Sequence, residues 1–438
     1  MTDVSVILHD ALIVPGTSPG RLPFFGWIHV QDGLIRGMGR GEAPAGLVGM
    51  RIDCTGDVLL PGLINLHAHS HSSLTRGSAE GISLEDWLAE VEREQRLLTE
   101  DDAYVAALGT YAEALLSGTT TILDMCLRPD AALRAAETLG IRAIIAPYVA
   151  DTKPFTPNLT TTARLLEHCR ARRKTVSVWV GLHDLESCSD DQIREGVALA
   201  KAYGTGLHLH CSESEFSVQQ TLRRTGSTPV AHLNTLGALG PKTLLAHCVW
   251  ANEEDQDLLR RHGSGVTHCP HANLKLGSGI APIPAMLSRG VPVALGTDGA
   301  KANNRLDMFD VMKFASLLHK GVSRNPRVMP VDQILGMATE RAAQIIGEPD
   351  LGILAPGRKA DLITVRADDF HVQPMLPDTV WTNLVHAARG SDVSLVMVAG
   401  KIVARDGELV GIQSHGLRSR FREVGLELIS RTRSGAGG

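Results

Sequence analysis

A (β/α)8 TIM-type barrel flanked by a small β-sandwich domain is the α/β fold that this 438-residue sequence predicts. Three observations carry that expectation. From Pro61 onward, short apolar strands alternate with helix-like stretches, the rhythm of βα units. Eight such strands fit within about 240 residues. Both ends of the chain instead show short strands broken by Gly and Pro.

Taken in order, residues 1–58 hold the β-like runs VSVILHDALIV, FGWIHVQDGLIRGMG and MRIDCTGDVLL. The first barrel strand is GLINLHAH, within 61–69, and a helix follows over SLEDWLAEVEREQ. A second helix starts at Thr99 and Asp102, spaced as a capping box, and ends near Ser117-Gly118. The remaining strands are placed at 119–125, 142–149, 176–183, 206–210, 243–249, 265–269 and 291–298. Helical patterns such as AALRAAETLG, DDQIREGVALAKAYG and EEDQDLLRRHG lie between them. This assigns 59–355 to the barrel. After Pro356-Gly357, KADLITV and SLVMVAGKIVARDGELV return to strand and turn. Segments 1–58 and 356–413 are therefore read as two halves of one composite β domain, and 414–438 as a C-terminal helix and tail whose SGAGG end is expected to be disordered.

The bulk numbers narrow the function. A formal charge of −5 leaves no basic field, and 4% aromatic residues leave few stacking platforms, so nucleic acid is an unfavoured partner. No apolar run is long enough to span a bilayer, and MTDVSVILHDALIV lacks a basic leader, so neither a membrane partner nor a signal peptide is expected. Seven scattered cysteines without a CxxC pair suit reduced thiols in the cytoplasm.

The informative residues stand at the C-terminal ends of the strands, which in a barrel meet at one rim. Strand one ends in His67-Ala-His69, strand five in His208-Leu-His210, strand six at His247 and strand eight in Gly-Thr-Asp298. Side chains two apart on a strand point the same way, so His67 and His69 both face the mouth. Three histidines and a carboxylate around one point are the N/O ligand set expected of a catalytic divalent ion, Zn²⁺ being favoured with Fe²⁺ and Mn²⁺ as alternatives, and His67, His69 and His210 are read as ligands among the converging groups. His208 sits deeper and is left as packing or as support for a ligand. His71 lies past the strand and reads as a loop residue or substrate contact. His9, His29, His232 and His386 are read as structural. Trp87 and Trp250 lie near the rim, where pocket lining and core packing are equally supported.

PGLINLHAH, HLHCSE, LLAHCV and GTDGAKANN, in this order, resemble the amidohydrolase superfamily, with GRKADLITV similar to the strand at which its split β domain resumes. The branch it resembles holds S-adenosylhomocysteine- and adenosine-type deaminases, guanine-type deaminases and s-triazine hydrolases. That resemblance implies His67, His69, His210 and Asp298 as ligands of one metal, Glu213 and His247 as the proton-handling pair, and Asp298 as base besides ligand. It implies His183 as a substrate contact, a strand-end structural histidine being the plainer reading, and Asn303 as another contact. Gln95 falls where nucleoside-type members carry an acidic ribose ligand, with Glu94 beside it. Glu186 reads either as surface charge or as a partner for an amino group of the substrate, and Lys301 is noted in the same motif region. The fourth strand, VSVWVGLH, lacks the lysine that bridges two metals in other members, and Lys174 lies at its wrong end, so one metal is expected.

The implied reaction is metal-dependent deamination: activated water attacks an N–C=N carbon of a small amino-heterocycle, Glu213 protonates a ring nitrogen, and ammonia leaves. The same site hydrolysing a triazine C–Cl or C–N bond or a cyclic amide is the alternative, and a non-catalytic scaffold the remote one. A homodimer or higher homo-oligomer is expected from the resemblance.

Overall fold

The computed structural model describes residues 5–172 and 175–434. Lys174 and the last four residues of the SGAGG end lie outside them. The N-terminal segment forms β1 (Val6–Ile13), β2 (Phe24–Gln31), β3 (Leu34–Arg40), β4 (Met50–Asp53) and β5 (Asp57–Pro61). Eight parallel segments make up the barrel strands: β6 (Leu63–Ala68), β7 (Thr119–Cys126), β8 (Arg142–Pro147), β9 (Val176–Val178) with β10 (Val180–Gly181), β11 (Leu207–Cys211), β12 (Thr243–His247), β13 (Gly265–His268) and β14 (Val293–Leu295). Trp179 interrupts the fourth strand, which is why it appears as β9 and β10. The chain then returns as β15 (Leu362–Arg366), β16 (Val393–Val398), β17 (Lys401–Arg405) and β18 (Glu408–Leu409).

Barrel strands β6 to β9 pair in one parallel arc and β10 to β14 in another. A parallel bridge between Val149 and Leu182 joins the arcs on one side. On the other side β14 meets β6: the Asp298 N–H donates to the His67 carbonyl at 2.9 Å, and the Asn65 side chain bonds both the amide and the hydroxyl of Thr297, at 3.1 and 2.7 Å. Gly296 is what lets these backbones approach, because a Cβ there would stand 2.9 Å from His67 Cβ and 2.7 Å from Thr267 Cγ2.

Strands from both chain ends join one nine-stranded sheet, with β15 antiparallel to β5 in register Leu362↔Pro61. β1 is its junction, pairing antiparallel with β2 and parallel with β4 and β5. A buried ion pair ties this sheet to the barrel: Arg142, opening β8, reaches Asp361 through Nε at 2.8 Å and Nη2 at 2.9 Å.

Helices α1 (Leu84–Leu97) and α2 (Glu100–Leu116) lie between β6 and β7. α2 carries the expected capping box, with Thr99 accepting from the Asp102 amide and Asp102 accepting from that of Thr99. The C-terminal helix Ser414–Ser434 packs on α2, where Arg431 pairs with Asp102 at 2.7 Å. Three features go beyond the sequence reading. Helices fill the stretch after β14, among them Met308–Ser323, Val331–Met337 and Glu340–Ile345. A helix Val380–His386 interrupts what reads as strand and turn between β15 and β16. Two helices, Glu215–Thr225 and Pro229–Thr235, stand where one is expected, because Thr228 caps a fresh start at Pro229. No helix among the described residues is long and apolar enough to cross a membrane. All seven cysteines are free thiols.

Candidate metal centre and active site

The C-terminal ends of β6, β11, β12 and β14 bring His67, His69, His210, His247 and Asp298 to one point inside the mouth. Donor atoms of His67, His69 and Asp298 lie within 4.8 Å of one another, as do those of His67, His210 and His247. Asp298 Oδ1 stands 3.6 Å from His67 Nε2 and 3.4 Å from His69 Nε2.

Hydrogen bonding fixes the histidine tautomers. A backbone carbonyl only accepts, so a ring nitrogen bonded to one carries the proton. His69 Nδ1–H donates to the Met125 carbonyl (2.8 Å) and His210 Nδ1–H to that of His183 (2.7 Å). Each neutral ring then presents a bare Nε2 lone pair, and these two nitrogens face each other at 3.1 Å. His67 reaches the same state through one more link. His208 Nδ1–H donates to the Leu244 carbonyl (2.9 Å), which leaves His208 Nε2 to accept from His67 Nδ1–H at 2.8 Å. His67 Nε2 is consequently buried without any hydrogen-bond partner. Burial pushes the pKa of His67 and His210 well down and that of His208 to about 3, so all three are neutral at pH 7. Three converging lone pairs beside a carboxylate repel one another unless a cation lies among them. The donor set fits a divalent first-row ion on that ground.

Backbone strain holds the cluster together. Ser212, His247, Cys248 and Asp298 have φ of 50°, 73°, 46° and 63°, left-handed values that cost a non-glycine residue about 1–3 kcal/mol each. These reversals at the ends of β11, β12 and β14 turn side chains inward that a continuing strand would carry past the rim. Gly299 lets the β14 end close over the His69 turn, since a Cβ there would stand 2.3 Å from Ser72 Oγ.

A cavity opens beside the cluster. Glu213 lines it, with Oε2 3.8 Å from His247 Nε2. Burial, augmented by Asp298 and Asp184 and opposed by His247, pushes the Glu213 carboxyl up to about 7. His247 Nδ1–H is anchored on Asn273 Oδ1 at 2.8 Å. His183 also lines the cavity, stacked on Tyr148 with ring centroids 4.1 Å apart. Its Nδ1 lies 2.6 Å from Asp184 Oδ2 and 3.0 Å from Ser187 Oγ. Burial keeps His183 neutral against the pull of Asp184, while the ring and the Ser187 donors hold Asp184 ionised despite its own burial.

Of the expected contacts, His71, Trp87 and Gln95 line the cavity, and the Gln95 amide lies 3.3 Å from His71 Nε2. Four other residues do not reach it. Glu186 is exposed outside the cavity, because its N–H caps the Asp184 side chain and turns it to solvent. Asn303 donates from Nδ2 to the Thr297 carbonyl at 2.8 Å and so braces the β14 end. Lys301 is fully buried in an ion-paired trio with Glu94 (2.6 Å) and Glu90 (3.3 Å), which occupies the charge that a substrate would have met. Trp250 gives its N–H to the Ser278 carbonyl and is not among the lining residues. Sequence reasoning missed Tyr148, Asp184, Asn273 and Leu276. Tyr148 follows β8 directly and Asp184 follows the fourth strand, so the strand-end rule that located the histidines reaches them too.

Residues 58–403 match the model of the amidohydrolase family. A 5-methylthioadenosine/S-adenosylhomocysteine deaminase of Syntrophomonas wolfei is 35% identical, covering 97% of this chain and 100% of its own. A 5′-deoxyadenosine deaminase of Methanothermobacter thermautotrophicus is 37% identical, over 88% of this chain and 90% of its own. The crystal structure of an adenosine deaminase from Xanthomonas campestris with bound zinc superposes with a TM-score of 0.91 at 26% identity, covering 98% and 99% of the two chains.

Proposed function

The chain belongs to the amidohydrolase family, and from that premise we propose that it is a metal-dependent deaminase that releases ammonia from an adenosine-like compound. The observation that carries this reading is the converging histidine–aspartate cluster with the largely buried Glu213 carboxyl 3.8 Å from His247 at its edge. Relatives at 35% and 37% identity along most of this chain are themselves named as deaminases of adenosine-like compounds, which supports the same reaction here.

His67, His69, His210 and Asp298 would hold one divalent ion, zinc by preference, with His247 at the edge of the same group. When bound, such an ion lowers the pKa of water and so makes a nucleophile available at neutral pH. The chain's own residues manage the protons. Asp298 takes the proton of the attacking water. Glu213, whose carboxyl burial pushes up so that it holds a proton more readily than an exposed one, donates to the ring nitrogen of the N–C=N group and makes its carbon electrophilic. His247, held by Asn273, stabilises the tetrahedral centre once its Nε2 is protonated. The proton held by Asp298 passes to the amino group, which leaves as ammonia, and the proton of the added hydroxyl returns to Glu213 as the carbonyl forms. His183 and Tyr148, stacked on one another, form a wall for the ring. A cytoplasmic setting is supported by the seven free thiols.

Ammonia release is the decisive test. Metal-quantified protein is offered 5′-deoxyadenosine, 5′-methylthioadenosine, S-adenosylhomocysteine and adenosine, alongside aminotriazines and chlorotriazines. Ammonia from the adenine compounds is expected. Chloride release, or silence toward every adenine compound by protein carrying one metal per chain, overturns the reading.

A further inference from the structure

We propose that α1 and the turn after β6 together set substrate specificity: Trp87 Nε1–H on α1 and His71 Nδ1–H on that turn donate to two acceptor atoms of the substrate, and the apolar face of α1 restricts the site to compounds with an uncharged 5′ substituent. This rests on the deaminase reading and narrows its substrate.

The two donors are recognised by what they lack. Trp87 Nε1 and His71 Nδ1 are both buried with no hydrogen-bond partner, and both residues line the cavity. The Gln95 amide donates to His71 Nε2, so the ring proton of His71 sits on Nδ1. Two N–H groups in one cavity wall are thus unsatisfied. Buried donors are ordinarily paired, and a ligand is the partner that reaches a cavity wall.

Charge supplies the second part. The acidic lining groups are engaged: Asp298 with the histidine cluster, Glu213 with His247, and Asp184 with His183 and Ser187. Among the described residues that line the cavity, none is Lys or Arg. The basic group nearest in the motif, Lys301, is spent on Glu94 and Glu90. What remains of the wall is Leu84, Leu88, Val91 and Leu276, an apolar slot on α1 and opposite it. A short alkyl or thioether substituent gains by entering it. Arg128 and Lys153 are the cations that act on His71 and His183, but neither lines the cavity: Arg128 donates to the Leu98 carbonyl and Lys153 pairs with Glu92 at 3.4 Å. The ammonium and carboxylate of an S-adenosylhomocysteine tail therefore meet no free counter-charge in the slot and lose their hydration.

The experiment compares kcat/KM for 5′-deoxyadenosine, 5′-methylthioadenosine and S-adenosylhomocysteine on the wild-type holoenzyme and on Trp87→Phe, with the 3-deaza and 7-deaza analogues of the preferred compound. Both neutral compounds should exceed S-adenosylhomocysteine by about 100-fold. Trp87→Phe keeps the apolar face but removes the donor, and should cost the parent compound about 10-fold, mainly through KM. That loss should vanish on the analogue that lacks the acceptor Trp87 reads. S-adenosylhomocysteine turning over within tenfold of the neutral compounds overturns the proposal, as does an equal loss on the parent and on every analogue. Calorimetric binding of the same three compounds to the wild-type protein ranks them independently of turnover. Absence of ammonia from all three therefore refutes the deaminase reading, while the binding order still tests specificity.

Discussion

Glu213→Gln separates what the carboxyl does for chemistry from what it costs the fold. The Glu213 side chain is only 17% exposed, and its pKa moves from 4.5 to about 7 chiefly through burial. The sign follows from comparing the two states. Between pH 4.5 and 7 the unfolded chain sheds this proton while the folded protein keeps it, so stability falls as pH rises through that window and the penalty is complete above 7. A change of that size corresponds to roughly 3 kcal/mol. Glutamine preserves the shape and has no charge to bury. Chelated Glu213→Gln protein should therefore be more stable than chelated wild type by up to about 3 kcal/mol at pH 8, with the gap closing toward pH 4.5. Urea unfolding of both proteins across that range measures it, with metal removed so that no cation adds its field. The same variant, loaded with metal, should retain the ion and lose 10²- to 10⁴-fold in kcat. A stability gap independent of pH would refute burial as the source of the raised pKa, and near-normal turnover would remove Glu213 from the proton path.

Three further outcomes follow from the geometry. His69→Ala removes one of the facing lone pairs, so bound metal per chain should fall sharply, and zinc added to chelated wild type should raise its melting temperature, by the equivalent of about 4 kcal/mol at a thousandfold excess over Kd; an unchanged melting temperature counts against the metal centre. Asp184→Asn takes away the anion that orients His183, and kcat/KM should drop 10- to 100-fold with metal content intact; unaltered kinetics would return His183 to a purely structural role. Asp361→Asn strands Arg142 in a buried setting and breaks the link between β8 and β15, so unfolding free energy should fall by about 3–5 kcal/mol, read by urea denaturation, and a loss under 1 kcal/mol would show that the pair is solvated.

The barrel and its histidines were legible in the sequence for a local reason. Strand side chains alternate with period two, so His67 and His69 had to share a face, and a barrel brings the ends of its strands to one rim whatever the loops do. The residues misjudged from sequence are governed by long-range closure instead. Lys301 and Asn303 follow Asp298 closely, yet the chain turns at Asp298 into a short helix, Ala300–Asn303. That turn sends Lys301 to Glu90 and Glu94 on α1 and Asn303 back to the Thr297 carbonyl. No local pattern records that α1, some 200 positions earlier, supplies those carboxylates. The buried Lys301–Glu94 pair thereby gains a reading of its own. It anchors the helix that carries Trp87 and Val91 to the end of the strand that carries Asp298, so the wall facing the substrate and the ligand cluster are held in one frame. Loss of either partner leaves a charge buried without compensation and frees the wall to shift. Lys301→Met should accordingly weaken substrate binding through KM more than it affects bound metal, and equal losses in both would place the pair in the fold of the metal cluster instead.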